Sequence, residues 1–372
     1  MSVVVGEPRL LVPGPVSDGV AGVGSSNNNL DAIDYDGYRW LAWRTAPHHF
    51  AGTDPTIHVS RSDDGGMAWE LTGSLAFGRD VREPRFFEWD GALFLFCCTL
   101  GTNWRRFEPD RVHVLSWDGT KWTDPVPVST PGAMAWRVRV VDGVPIMSVY
   151  RGGSSIYSRA PEPTRVELWT CDDAWSWRPL DPDHPTFHTG GTETEIMRGL
   201  SGLVSVTRME GPITFGSDIS VAPDLHAPIE RHRIIPNKLD SPLMFQVGQQ
   251  LYLIARRSLE FDGRFDLGIH GIAPEVTTRI YHRTYWATPK RTSLWKLDED
   301  LLQVKLVEDL PGLGDTCFPA LVQESDCTFM LYNYTSPLGG IDLPWLAGQH
   351  GPTQIYELQL KFDIADGDEP RS

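Results

Sequence analysis

One pattern recurs six times along the 372 residues. A polar start leads into an apolar strand, a tight turn, and a second apolar strand that ends polar or charged. The copies read NNNLDAIDYDG–YRWLAWRT, VREPRFFEWDG–ALFLFCCT, AWRVRVVDG–VPIMSVYRG, TETEIMRGLSG–LVSVTRME, DSPLMFQVGQ–QLYLIARRS and DTCFPALVQESD–CTFMLYNYT. Their turns fall at Asp36-Gly37, Asp90-Gly91, Asp142-Gly143, Ser201-Gly202, near Gly248 and near Asp326. Asp-Gly between alternating apolar residues is the strongest short-range hairpin signal, because both turn positions need positive φ. The last interval exceeds the others by roughly 25–30 residues, against about 40–50 per blade in propeller arrays. The expected fold is therefore an all-β, six-bladed β-propeller over residues 1–372, with an insertion at about 258–291 in the fifth blade. An irregular β-sandwich competes, but it gives no reason for the repeated polar start.

Ser62-Asp63-Asp64-Gly65-Gly66-Met67-Ala68-Trp69 fits S-x-D-x-G-x-x-W, the Asp-box turn between the third and fourth strands of a blade. Asp64 is expected to accept turn amides, Gly66 to take positive φ, and Trp69 to pack beneath. Degenerate copies follow in register at 116–122, one residue short, and at 170–177, with Ala174 for Gly. The C-terminal PTQIYELQLKFDI supplies a third strand for blade 6, and the N-terminal EPRLLVP its fourth. That pairing closes the ring and hides its edges.

Composition agrees. Aromatics make up 10% of residues, with 14 Trp, 35 Gly and 29 Pro, which suits many short strands between turns. The net charge of −16 disfavours nucleic acid as a partner, since phosphate neutralisation dominates that affinity. No run of about 18 apolar residues marks a membrane span, and the first residues lack the basic and apolar regions of a signal peptide. The expected location is cytoplasmic, as monomer or homodimer. Five cysteines, at 97, 98, 171, 317 and 327, show no CxxC spacing. They read as free, buried thiols rather than as disulfides or a metal site. No cofactor or metal is expected, and P-loop, dinucleotide and G-x-S-x-G motifs are absent.

Propeller ligands sit at one end of the channel, where the innermost strands begin and the second strands end. The polar starts place Asn29, Asp80, Arg82, Glu83, Arg85, Arg137, Glu193, Asp240 and Asp315 there, and the strand ends add Arg44, Arg208 and Arg256. Carboxylate pairs supply acid, base or nucleophile for glycosidic cleavage; Arg forks grip an acid group. Glu193, Asp80, Glu83 and Asp315 are the candidate catalytic carboxylates. Arg44, Arg82, Arg85, Arg137, Arg208, Arg256, Asp240 and Asn29 are the candidate substrate-binding set. His49, on the rim after the first hairpin, and His188 and Tyr285 are candidate proton-transfer groups.

With the Asp-box at 62–69 and the motifs VREPRF, TETEIM…LVSVTRME and GDTCFPALV…MLYNYTS, nearly the whole chain resembles the sialidase superfamily, in its BNR-repeat, exo-α-sialidase-like branch. The resemblance implies a fourth-blade Glu that polarises a nucleophilic Tyr, matched by Glu193 and next by Glu195. It implies an arginine trio, to which Arg208 and Arg256 or Arg257 correspond, and an acid/base Asp, for which Asp31 and Asp54 stand in. Two features depart from the family. The F/Y-R-I-P motif is missing, and blade 6 begins Asp315-Thr316-Cys317-Phe318, with Tyr332 and Tyr334 only on the next strand. The resemblance is thus to a sialidase-like propeller rather than to a true sialidase.

The expected function is that of an exo-acting glycoside hydrolase on a small anionic saccharide or glycoside, of uronic or sialic-like type. A lyase that β-eliminates uronate glycans through His49, His188 or Tyr285, and a non-catalytic sugar-binding propeller, are the alternatives.

Overall fold

The computed structural model describes residues 2–153 and 162–363. It is all-β, with six antiparallel sheets arranged as blades around a channel. Blade 1 comprises Ser26–Tyr35, Tyr38–Ala46, Thr56–Ser62 and Glu70–Ala76. Blade 2 comprises Val81–Trp89, Ala92–Leu100, Pro109–Ser116 and Val126–Pro127. Blade 3 comprises Ala133–Val141, Val144–Arg151, Arg165–Thr170 and Arg178–Pro179, with Thr186–Thr189 also paired to its third strand. Blade 4 comprises Gly191–Arg198, Leu203–Glu210, Phe215–Ala222 and Arg231–Ile235. Blade 5 comprises Asp240–Val247, Gln250–Ser258, Lys290–Asp298 and Gln303–Asp309.

Blade 6 runs outward from Ala320–Ser325 through Thr328–Thr335 to Gln354–Asp363. The chain start completes it. Two segments share the outermost position, Ser2–Val5 and Arg9–Val12, both antiparallel to Gln354–Asp363. The first of these was not foreseen as part of the closure. Leu11 and Val12 are fully buried there. Arg9 ties the closing strand to Glu357 and donates to the Gly66 carbonyl of blade 1 at 2.7 Å.

The first three hairpins turn through two left-handed residues each: Asp36 and Gly37, Asp90 and Gly91, Asp142 and Gly143. This backbone matches the twist of the flanking strands. On the same side of the ring lie the turns between third and fourth strands. The Asp64 carboxylate accepts the Met67 and Ala68 amides at 2.9 Å each, and Trp69 Nε1 donates to Gly66 O at 2.9 Å. At the third copy, Asp173 accepts the Trp175 and Ser176 amides, and Trp177 Nε1 donates to Ala174 O at 2.8 Å. Ala174 takes the left-handed φ of 60° itself.

Blade faces pack on one another through alternating apolar residues, such as Trp40, Val59, Val81, Leu95 and Cys97 between blades 1 and 2. All five cysteines are free, and four are buried. Between the second and third strands of blade 5, residues 259–289 carry a helix, Pro274–Trp286. A shorter helix, Trp345–Gly348, lies in the corresponding connection of blade 6. No described helix is long and apolar enough to cross a membrane.

Candidate functional site

The innermost strands do not run straight into the channel. Registers slip between Asn28 and Leu30, Arg82 and Arg85, Ala135 and Arg137, Gly191 and Thr194, and Asp240 and Leu243. Each slip is a bulge that re-aims a side chain. Four residues at such positions are left-handed without being glycine: Asn29 (φ 40°), Glu83 (φ 57°), Ser241 (φ 53°) and Cys317 (φ 83°). Prolines follow two of them, Pro84 and Pro242, as bulges tolerate. All four, with Thr192 and Glu193 from the blade 4 bulge, line a cavity of about 500 Å³ at one end of the channel. Backbone held in a sparsely populated region clusters at functional sites, and here it forms the pocket floor.

Above the floor stand Arg82, Arg208 and Arg256, with Arg105 and Arg106 at the rim. Five arginines and two glutamates thus line this pocket, against the −16 of the whole chain. Each inner arginine is fixed. Arg82 pairs with Asp80 and donates to His49 O. Arg208 meets Glu193 at 2.7 Å and Glu210 at 3.0 Å. Arg256 reaches Asp240 at 3.1 Å and Thr316 O at 3.0 Å, beneath the Trp345 ring. Such preorganised guanidinium groups bind an anion without reorganising.

The two carboxyls differ. Burial, reinforced by the Glu193 charge, pushes Glu83 up to about 7. One of its oxygens, Oε2, takes no partner among the described residues. Glu193 is also raised by burial, but Arg208 opposes the shift, and the Ser241 amide donates to it at 2.7 Å. Like carboxyls sharing a low-dielectric site are driven apart in this way. Tyr150 faces both and is raised by its burial and then by Glu83.

Across the pocket, His49 Nδ1 lies 2.6 Å from Asp315, whose other oxygen accepts the Tyr334 hydroxyl at 3.0 Å. Burial lowers the His49 pKa despite Asp315, which favours the neutral ring. Its Nε2 has no partner among the described residues. Asp315 fixes the tautomer in which Nδ1 carries the proton and Nε2 is a base.

Of the expected site residues, Asn29, His49, Arg82, Glu83, Glu193, Arg208 and Arg256 line the pocket. Others stand behind it or elsewhere. Asp80 and Arg44 are fully buried and pair with each other at 2.9 Å, so Asp80 positions Arg82 rather than facing ligand. Asp240 is likewise enclosed, held ionised by Lys238, Arg256 and Arg208 against its burial, and Tyr285 donates to it. Asp315 acts through His49 and Tyr334. Arg85 lies under the floor, its guanidinium 4.2 Å from the Phe318 ring and 4.7 Å from Trp136. Trp136 and Phe318 pack edge to face there, ring centres 5.2 Å apart.

Arg137 is a correction. Beyond the bulge its side chain turns to the opposite end, where it pairs with Glu195 at 2.8 Å and lines a separate cavity with Asp31. Glu195 and Asp31 therefore leave the site as well, and Asp54 is exposed. His188 pairs with Asp218 at 2.6 Å and Arg257 with Asp309, away from the pocket.

Sequence reasoning missed the aromatic wall: Phe50, Trp104, Phe107, Trp286 and Trp345, joined by Tyr150 and Tyr334. One signal was present. The residues Trp104-Arg105-Arg106-Phe107 lie in the connection between the second and third strands of blade 2, and loops on a rigid scaffold are where binding residues concentrate.

No family model and no curated protein matches the chain. Solved structures do. A protein of unknown function from Dyadobacter fermentans aligns over 97% of this chain and 100% of its own, with TM-score 0.63 and 14% identity. The endosialidase of phage phi92 aligns over 99% of this chain and 70% of its own, at TM-score 0.59 and 12% identity. Trypanosoma rangeli sialidase in complex with sialic acid aligns over 99% of this chain at TM-score 0.57 and 12% identity. This chain spans 57% of that sialidase chain. Identities this low speak for the backbone alone. In fold, this chain is a six-bladed β-propeller, similar in backbone to these solved structures.

Proposed function

We propose that the chain is a glycoside hydrolase that binds an acidic sugar end in the channel-end pocket. The observation that carries this reading is the joint presence of five arginines and two interacting buried carboxyls in one cavity. Arg82, Arg208 and Arg256 hold the sugar's acid group. Glu83, protonated near neutrality, gives its proton to the glycosidic oxygen as the bond to the anomeric carbon breaks. Glu193, the carboxyl with an arginine partner, either bonds to that carbon as nucleophile, giving an ester that water then cleaves, or takes a proton from the water that attacks the carbon. A pocket at the channel end, walled in part by the fifth-blade insertion through Trp286, favours a chain end over a mid-chain segment, hence exo action. The polar floor suits a small anionic saccharide or glycoside, and a cytoplasmic setting suits an imported one.

A second reading rests on the His49–Asp315–Tyr334 arrangement. His49 Nε2 is placed as a base for the C5 proton of a uronate, and Tyr334 as an acid for the departing O4, in a β-elimination. One assay separates the two. Incubated with sialosides and with uronate oligosaccharides, the protein should release reducing ends without ultraviolet absorbance. Absorbance from an unsaturated product, abolished by His49→Ala, would favour the lyase instead. Turnover that survives both Glu193→Gln and Arg208→Ala would remove this pocket as the site. Binding without any turnover would leave a sugar-binding propeller.

A further inference from the structure

The pocket has two chemically distinct storeys. Its floor is polar and charged, whereas its mouth is apolar on several sides at once. Phe50 comes from blade 1, Trp104 and Phe107 from blade 2, Trp286 from blade 5, and Trp345 and Leu346 from blade 6. Some of these rings are spent on the protein. Trp345 covers the Arg256 guanidinium at 4.7 Å, and Phe107 stacks on Tyr150 at 6.5 Å. Others keep open surface, although the Arg105 guanidinium lies 4.7 Å from the Trp104 ring and Phe50 and His350 meet that ring edge-on. Trp104 is 50% exposed and Leu346 is 41% exposed, although both line the cavity.

A sugar ring stacks on one aromatic face and keeps its hydroxyl edge for hydrogen-bonding groups. The mouth instead offers apolar walls from four blades, with Arg105 and Arg106 at its rim and the buried hydrogen-bonding groups below. Apolar surface that is left to water gains most from a ligand that covers it.

Resting on the acidic-sugar reading, we propose that the group leaving through the mouth is an apolar, ring-bearing aglycone rather than a further sugar. The preferred substrate class is thus the aryl or similarly hydrophobic glycoside of an acidic sugar. The acid group sits on the arginines and the aglycone lies between Trp104 and Leu346.

Calorimetric titration with phenyl and methyl glycosides of glucuronic acid and of N-acetylneuraminic acid, with phenyl glucoside as the neutral comparison, tests this. Burying one phenyl ring should tighten binding about tenfold or more over the methyl glycoside. Trp104→Ala and Leu346→Ala, both at exposed positions that spare the fold, should collapse that phenyl-to-methyl ratio. Equal affinities for phenyl and methyl acidic glycosides would overturn the aglycone proposal and leave the acidic-sugar reading standing. Phenyl glucoside binding as tightly as its acidic counterparts would overturn the acidic-sugar reading and spare the aglycone. If no phenyl glycoside binds, the aglycone proposal fails.

Discussion

Burial and the Glu193 charge push the Glu83 carboxyl up to about 7 from 4.5, and this shift has consequences for both activity and stability. As a general acid Glu83 must carry its proton, so turnover should fall as pH rises through about 7. Glu83→Gln should lower kcat by roughly a hundredfold or more and remove that limb from the pH–rate profile. Stability has its own sign. Between about 4.5 and about 7 the folded form binds the proton and the unfolded form does not. Glu83 therefore favours folding fully below about 4.5 and loses that contribution as pH rises to about 7, on the order of 3 kcal/mol in all. His282, lowered to about 4 by burial, and Lys290, lowered to about 6 by burial, act in the opposite sense. The contribution should hence be read as the difference between wild type and Glu83→Gln in urea melts at pH 5 and pH 8. Residue types at the blade starts were legible, because charge at an apolar strand's end is visible in the letters. Which of them face ligand was not. Asp80 and Glu83 are three positions apart, yet one is enclosed by Arg44 and Arg82 and the other is turned into the pocket by its left-handed backbone.

At the scale of elements, the hairpins were readable because Asp-Gly turns have a local cause. The bulges were not, since their left-handed residues include Glu83, Ser241 and Cys317, types that rarely adopt that backbone alone. Arg137 shows the cost of missing one. A strand read as continuous put it at the pocket, whereas the extra residue at Trp136 sends it to the other end. The closing strand gives a direct test. Leu11 is fully buried in a cluster with Leu30, Trp43 and Tyr332, so Leu11→Ala should cost about 2–5 kcal/mol in denaturant unfolding. A far smaller loss would mean that the closing strand is not tightly packed.

For the whole molecule, ring closure joins the two chain ends in one sheet, with Leu10 opposite Tyr356 and Val3 opposite Phe362. Removing residues 1–12 would expose the Gln354–Asp363 strand as a free edge. The truncated chain should unfold at lower temperature and associate on heating, as calorimetry and light scattering would report. An unchanged melting transition would count against closure by these strands. The sequence by itself determined the six hairpins, the turns that join them, and the expectation of a charged channel end. These follow from local rules, namely turn chemistry and period-two patterning, that act within a few residues. Tertiary structure alone decided which charges are walls and which are ligand-facing. Burial, bulge direction and the pairing of Glu83 with Glu193, or of His49 with Asp315, join residues 110 and 266 positions apart, and no local pattern encodes such meetings.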